Sequence, residues 1–437
     1  MRGGLVVAVA MAVMNLASYA LTNVAAHVLG PAGYGAFAAL MGLVLVLGVA
    51  SLGLQATAAR RVAADVTHRE AVEVVTRTTA RRGALALAVL CVLASPVVSR
   101  VLHLDTWLSA AILAVPAAAY VVMGGQAGLL QGEGRWGSYA ALFSTFGLAR
   151  FGCGLLTILV WPTPLGAMTG VALGSLVPPV VGWWALRHPR TPHDGGRGVV
   201  VTTGEVMREA LSSCSALLAF FALTSLDVLL ARVVLPPHQA GLYAAGAILA
   251  KAVMFLPYVV TVMAFPAMSR QGANRYLHLW GLAAVLGVGL VVMAGVALLP
   301  RLALQFVGGR AYAELQGSLW AFAGLGTVLA GIQLLVYSDI ARRHRRAMWF
   351  VWGAFGLMAA GLTAVHTALH MLALVLTVDA LLLVVLAVVA TVGTARAADA
   401  DLEPVEPVLG VPDLPGAPDL PDAASGPLGA SSDRRPH

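Results

Sequence analysis

The sequence predicts an all-α polytopic membrane protein of about twelve transmembrane helices in two six-helix lobes. Three observations predict it. Apolar segments of about 20 residues, the length that crosses a hydrocarbon core as a helix, recur along nearly the whole 437-residue chain. The basic residues concentrate on alternate stretches between those segments. The first half of the chain also matches the second at an offset of 206 residues.

The composition sets the class. Apolar residues make up 59% and charged residues 11%, and the mean hydropathy is +0.86. A soluble domain has about 45–50% apolar and about 25% charged residues. An ordinary cytosolic enzyme, a nucleic-acid-binding domain and a disordered protein are excluded. The apolar runs are continuous, whereas a barrel strand would alternate over about ten residues, so the spans are helices.

The spans run approximately over 4–28, 34–57, 83–103, 107–130, 138–160, 165–187, 207–232, 242–268, 278–299, 317–338, 348–366 and 369–393. The first resembles a signal peptide in having Arg2 and the small residues Val24-Ala25-Ala26. It is longer than a typical signal core and is interrupted by Asn15 and Asn23, so an uncleaved helix is expected. With the N-terminus inside, the inner stretches carry 21 of the 27 basic residues and the outer ones only Arg100, Arg232, Arg301 and Arg310. Arg150 and Lys251 fall inside spans. Basic loops stay in the cytoplasm, so both termini are expected there. All nine tryptophans lie near span ends, where the indole finds both shelter and a polar partner.

The chain divides into an N-terminal lobe (1–190), a cytoplasmic inter-lobe loop (191–206), a C-terminal lobe (207–393) and a tail (394–437). The tail carries eight acids against three arginines, with prolines every few residues from Pro404 to Pro421. Such a segment buries too little apolar surface to order itself and reads as disordered. Its charge of −5 within a total of +7 leaves +12 on the membrane region, which suits anionic lipid head groups or an anionic substrate, not nucleic acid.

The 206-residue offset places Val28-Leu29-Gly30-Pro31 on Val234-Leu235-Pro236-Pro237, and Gly35 through Ala39 on Gly241 through Ala245. Over residues 28–39, six of twelve positions are identical. Six spans is an even number, so both halves enter the membrane from the same side. Parallel repeats about an axis along the membrane normal are an arrangement of alternating-access transporters.

Polar residues inside spans are the candidate site. Asn15, Ser18, Tyr19, Thr22 and Asn23 fall largely on one face of span 1. They can line a water-filled cavity or bond neighbouring helices. A charge at the bilayer centre costs at least about 2.5 kcal/mol, so Arg150, Lys251, Asp227 and Asp379 need a reason. Either the two cations and two acids pair to hold the lobes, or Arg150 and Lys251 attract an anionic head group such as a diphosphate. In the second case Asp227 or Asp379 balances the cations or exchanges a coupling proton or sodium ion. A guanidinium grips phosphate bidentately, whereas an ammonium acts as a point charge. Cys91, Cys153 and Cys214 lie in apolar segments without metal-ligand spacing and read as buried small residues. His366 and His370 lack further ligands nearby, so no metal site is expected. No phosphate-binding loop, nucleophile elbow or paired catalytic carboxylates occur. No catalytic residue is assigned, no enzyme is expected, and transport would not use ATP directly.

Leu29-Gly30-Pro31 through Tyr34-Gly35-Ala36-Phe37 resembles the first outer loop of the polysaccharide biosynthesis (oligosaccharide flippase) proteins. These belong to the multidrug/oligosaccharidyl-lipid/polysaccharide (MOP) exporter superfamily. Leu130-Gln131-Gly132 with Arg135 resembles their turn after the fourth helix. Asp227 through Arg232, Ala240 through Ala245 and Phe265-Pro266 resemble their seventh-to-eighth helix stretch. The resemblance implies two lobes around a central cavity, alternating access without ATP hydrolysis, and a polyprenyl-diphosphate-linked oligosaccharide as substrate. Polysaccharide polymerases or glycosyltransferases would be partners. Two other readings stand beside it: a cation-coupled multidrug exporter of the same superfamily, and a non-transporting scaffold for polysaccharide enzymes, which deletion of 394–437 would disable.

Overall fold

The computed structural model describes residues 2–64, 69–187, 202–211, 225–255, 277–341 and 346–400, and among them no residue is in a strand. Eight of the described helices are long and apolar enough to cross a membrane, the first of them long enough to do so twice. The predicted tail beyond residue 400, and Cys214, Phe265 and Pro266, lie outside the described residues.

Spans 1 and 2 are closer-coupled than the sequence suggests. They form one helix, α1 (Arg2–Ala64), broken only at Gly30, whose φ of 64° and ψ of 177° no side-chain-bearing residue adopts readily. Pro31 follows, at a position where its missing N–H costs nothing. The expected loop near 29–33 is therefore a one-residue kink. The two arms run antiparallel. Trp136, at the start of α5 (Trp136–Val160), packs on Gly3, and Tyr139 one turn later bonds Gln55 near the far end of the second arm.

Around α1 stand α2 (Arg69–Val101), α4 (Ala114–Gly132) after the short α3 (Leu108–Ala111), and α5. Span 6 is two pieces, α6 (Pro164–Ser175) and α7 (Val177–Leu186), because Pro178 and Pro179 interrupt the hydrogen-bond ladder. Small residues let the backbones meet. Gly124 and Gly128 lie on Ser51 and Gln55 of the second arm, Gly147 on Met14 of the first, and Gly170 on Cys153 of α5. A helix over 203–211, α8, docks Val206 and Ala210 against Leu54, Ala80 and Val121, and its Glu209 pairs with Arg60 and Arg61.

The second lobe contains α9 (Leu226–Val234), α10 (Pro237–Phe255), α11 (Leu277–Leu298), α13 (Leu319–Ala341), α14 (Arg346–Gly361) and α15 (Ala368–Ala400). The stretch after α11, expected as a loop, instead folds into α12 (Pro300–Val307) and a 3₁₀ turn, Gly309–Leu315. Proline starts the first and positive-φ Gly308 and Gly309 end it.

The duplication read from the sequence has structural counterparts. In the first lobe, α4 runs parallel to the second arm of α1 and antiparallel to α2. In the second, α13 runs parallel to α10, with Gly246 on Phe322 and Gly326 on Ala250, and antiparallel to α11, with Gly289 on Thr327 and Gly281 near Leu334. The 206-residue offset also maps His103 (φ 48°) onto Gly309 (φ 74°), two left-handed positions in corresponding connections. Gly35 and Gly241, partners under the same offset, touch each other, as expected for equivalent residues beside a twofold axis.

The contact at these two glycines is backbone against backbone. A Cβ at Gly35 would lie 2.9 Å from the Gly241 Cα, and one at Gly241 would overlap the Pro31 carbonyl oxygen. Neither neighbour is a flexible side-chain tip. Gly241→Ala is therefore expected to destabilise the purified protein by about 1–3 kcal/mol, the usual cost of overpacking. Thermal unfolding in detergent measures it, and an unchanged midpoint would contradict this packing.

Candidate functional site

The charged residues singled out inside spans fall into two buried groups, one in each lobe. In the first, Arg150 of α5 is 6% exposed. The close approach of Gly174 of α6 to the Arg150 backbone fixes its position. Its guanidinium lies 5.0 Å from the centre of the Phe146 ring, and Nη2 is 3.7 Å from the Met41 sulfur. Its Nε has no partner, and neither has the buried hydroxyl of Tyr120, which senses the Arg150 charge and whose ring meets Phe146 edge-on at 5.0 Å. Among the described residues, no carboxylate is paired with Arg150.

In the second lobe, Asp227 of α9 and Asp379 of α15 are 5% and 1% exposed. The fully buried Tyr243 of α10 donates its hydroxyl to Asp227 Oδ2 at 2.8 Å and packs on Phe322. Lys251, two turns farther along α10, and Asp379 both interact electrostatically with Asp227. Asp227 Oδ1 and Asp379 Oδ1 have no hydrogen-bond partner. The acids thus gather with Lys251 and not with Arg150, and the two cations belong to different lobes.

The polar face of span 1 is divided. Tyr19 donates to the Ile248 carbonyl of α10 and stacks on Phe306 with ring centres 5.6 Å apart; Asn23 donates to the Phe306 carbonyl. Thr22 bonds its own helix at Ser18, and Asn15 is exposed. His366 and His370 face one another edge-on, and no metal-holding group of three ligands occurs among the described residues.

Tyr19 and Asn23 belong to a set of bonds between the lobes at the arginine-poor end. Arg232, at the end of α9, donates to the carbonyls of Leu102 and His103 at 2.9 and 3.0 Å and to that of Ala32 at 3.5 Å. Tyr312 donates to the carbonyl of Ala26 at 3.0 Å. Each lobe's connection between its third and fourth spans therefore reaches the end of the other lobe's first span. Sequence reading missed Arg232, Tyr243, Tyr120 and Tyr312. A tyrosine or arginine near a span end is ordinary, and only the fold shows which of them cross between lobes.

Comparisons with known proteins agree with this architecture. An inward-facing multidrug resistance MATE family transporter of the MOP superfamily matches at TM-score 0.67 and 16% identity, covering 89% of this chain and 96% of its own. A MOP superfamily transporter from Pyrococcus furiosus matches at TM-score 0.58 and 16% identity, covering 90% and 96%. The eukaryotic MATE transporter AtDTX14 matches at TM-score 0.56 and 12% identity, covering 91% and 97%. At these identities the likeness is one of fold. No curated protein matches. The family of polysaccharide biosynthesis proteins matches residues 1–271, more than half of the chain. The chain therefore belongs to the polysaccharide biosynthesis protein family, and its fold is similar to that of MOP superfamily transporters.

Proposed function

We propose that this protein is a flippase that moves a polyprenyl-diphosphate-linked oligosaccharide, or a related anionic glycolipid, across the bacterial cytoplasmic membrane. It works by alternating access and serves cell-surface polysaccharide biosynthesis. The observation that carries this reading is Arg150, a buried cation without a carboxylate partner among the described residues. A permanent charge in a membrane lobe is costly unless an anion meets it. A purely structural arginine would be expected beside an acid, yet Glu73, the buried acid of this lobe, pairs with Arg77, and Asp227 and Asp379 are in the other lobe. When the lobes part, Arg150 meets the diphosphate in the central cavity with its bidentate fork, and Lys251 assists as a point charge. The lipid tail stays in hydrocarbon while the head group crosses.

The inter-lobe bonds of Tyr19, Asn23, Arg232 and Tyr312 close the arginine-poor end, which the charge rule places outside. They break in the outward-open state, exposing Tyr19, Thr22 and Asn23 to the cavity, which Asn15 already faces. Asp227 and Asp379 carry two acids against one lysine, with an open oxygen on each. They suit a coupling proton or sodium ion, whose arrival neutralises the pair and whose departure resets it.

The same acid pair favours a second reading, a cation-coupled multidrug exporter. Deleting the gene separates the two. Loss of surface polysaccharide with unchanged sensitivity to cationic drugs is the expected result, and restoring the Asp379→Asn chain should return little export and no response to the ion gradient. Drug hypersensitivity with normal surface polysaccharide would overturn the flippase reading.

A further inference from the structure

The short helix α12, at the arginine-poor end of the second lobe, presents three chemically distinct faces. A helix turns once every 3.6 residues, so Ala303, Leu304 and Val307 share one side, and all three are buried in the core of the lobe. Leu302 and Phe306 share the next side and are 59% and 41% exposed. Arg301 and Gln305 share the third and are exposed as well. Leucine and phenylalanine exposed side by side are costly in water, and arginine is costly in hydrocarbon. One face on protein, one apolar and one polar is the pattern of a helix lying along a bilayer surface.

Three features of the fold say what covers the apolar side. First, α11 is long and apolar enough to span the membrane, and it carries an exposed stripe at Ala284, Gly287, Val291, Ala294 and Leu298, three or four residues apart. That stripe meets lipid, and Leu302 and Phe306 take it up directly beyond the break at Leu299 (φ −121°, ψ 53°) and Pro300. Second, the exposed Trp320 at the start of α13 sets the head-group level at this end, since indoles prefer that zone. Third, residues 94–101, the counterparts of 300–307 under the 206-residue offset, run on without a break as the end of α2. The turned helix is therefore particular to the second lobe and is no by-product of the duplication.

We propose that α12 is embedded in the head-group boundary of the leaflet at the arginine-poor end, with Leu302 and Phe306 against acyl chains, and that this lipid contact holds the gate shut. The contact is apolar, so it needs no anionic head group. The hold on the gate rests on the gate reading given above. Phe306 is the residue whose ring stacks on Tyr19 and whose carbonyl accepts from Asn23. One residue thus faces the lipid and the first lobe at once. Lipid under Leu302 and Phe306 fixes the depth of α12, and with it the position of that ring and carbonyl. Drawing α12 toward water moves Phe306 off Tyr19 and Asn23.

Spin labels on the full chain in phosphatidylcholine nanodiscs, with Cys91, Cys153 and Cys214 replaced, test the docking. A label at Leu302→Cys should be relaxed more by oxygen, which concentrates in lipid, than by a water-soluble nickel complex. A label at Gln305→Cys should reverse that order. Labels that respond alike at both positions would overturn the docking. A label at Leu302→Cys shielded from both reagents would mean that a protein surface, such as a second copy, covers the face, and would overturn it too. The hold on the gate is read in intact cells, with an impermeant maleimide added outside to Thr22→Cys. Leu302→Asn should speed labelling by about tenfold, the scale that losing one leucine from an apolar contact sets for an equilibrium. Gln305→Asn, on the polar face, should leave the rate unchanged. An unchanged rate in Leu302→Asn, or an equal rise in both variants, would overturn the hold on the gate. Neither readout needs a transported cargo, so either can fail while the flippase reading stands.

Discussion

Replacing Arg150 by Ala should stop glycan export while the protein accumulates at its normal level. The two halves of this expectation have separate causes. Export is lost because a charge-assisted hydrogen bond contributes about 1.5–3 kcal/mol, and removal of one or two of them from a bound diphosphate slows transport by at least about tenfold. Abundance is kept because Arg150 has no carboxylate partner to strand among the described residues. Its loss removes the contact with Phe146, about 0.5–2 kcal/mol, and also removes the cost of holding a cation with an unpaired Nε. Arg150→Lys should retain partial export, having charge without the fork. Immunoblotting of membranes beside quantified surface polysaccharide checks both halves. Low abundance with proportionate export would mark Arg150 as structural.

Locking the arginine-poor end should abolish export as completely. Asn23 and Phe306 meet across the lobes there, beside the Tyr19–Phe306 stack. With Cys91, Cys153 and Cys214 replaced, Asn23→Cys/Phe306→Cys joined by a short thiol cross-linker should export nothing, and reduction should restore transport. Each single cysteine variant should export equally with and without the cross-linker. The arrest follows from the bond pattern. Arg232, Tyr312, Asn23 and Tyr19 all bridge the lobes on one side, so that side must open for cargo to leave. Normal export by the cross-linked protein would remove this gate from the cycle.

The architecture was largely legible in the sequence because lipid imposes it. A span of hydrocarbon length announces itself in composition, arginine placement orients it, and the match of Gly35 to Gly241 reports a duplication whose two glycines touch in the fold. Less legible was how spans join. Gly30-Pro31 reads as a loop by turn chemistry, yet one positive-φ glycine suffices to reverse the chain. Residues 300–315 read as a connection because they lack span length, though Pro300 and Gly308 bracket a short helix. The site was legible as residue types but not as groupings. Burial cost singles out Arg150, Lys251, Asp227 and Asp379 one at a time. The lobe bounds already put both acids in the second lobe with Lys251, but nothing in the spacing tells that Asp227 meets Tyr243 there, or that Arg150 lies against Phe146 and Met41. Tertiary neighbours decide this, and the offset of 206 gives no help, since Arg150 corresponds to Gly356 and Asp227 to Leu21.

The central claim, that an anionic lipid-linked glycan crosses through this protein by way of Arg150, meets its most direct test in proteoliposomes. Purified wild-type chain would be reconstituted with a fluorescent polyprenyl-diphosphate oligosaccharide in the starting leaflet, and its arrival in the other leaflet read by an impermeant quencher. The account predicts transfer by the wild-type chain under an ion gradient, none by Arg150→Ala at equal reconstitution, and no transfer of a cationic dye by either. Transfer of the glycan at the wild-type rate by Arg150→Ala, or transport of the dye in place of the glycan, would contradict it.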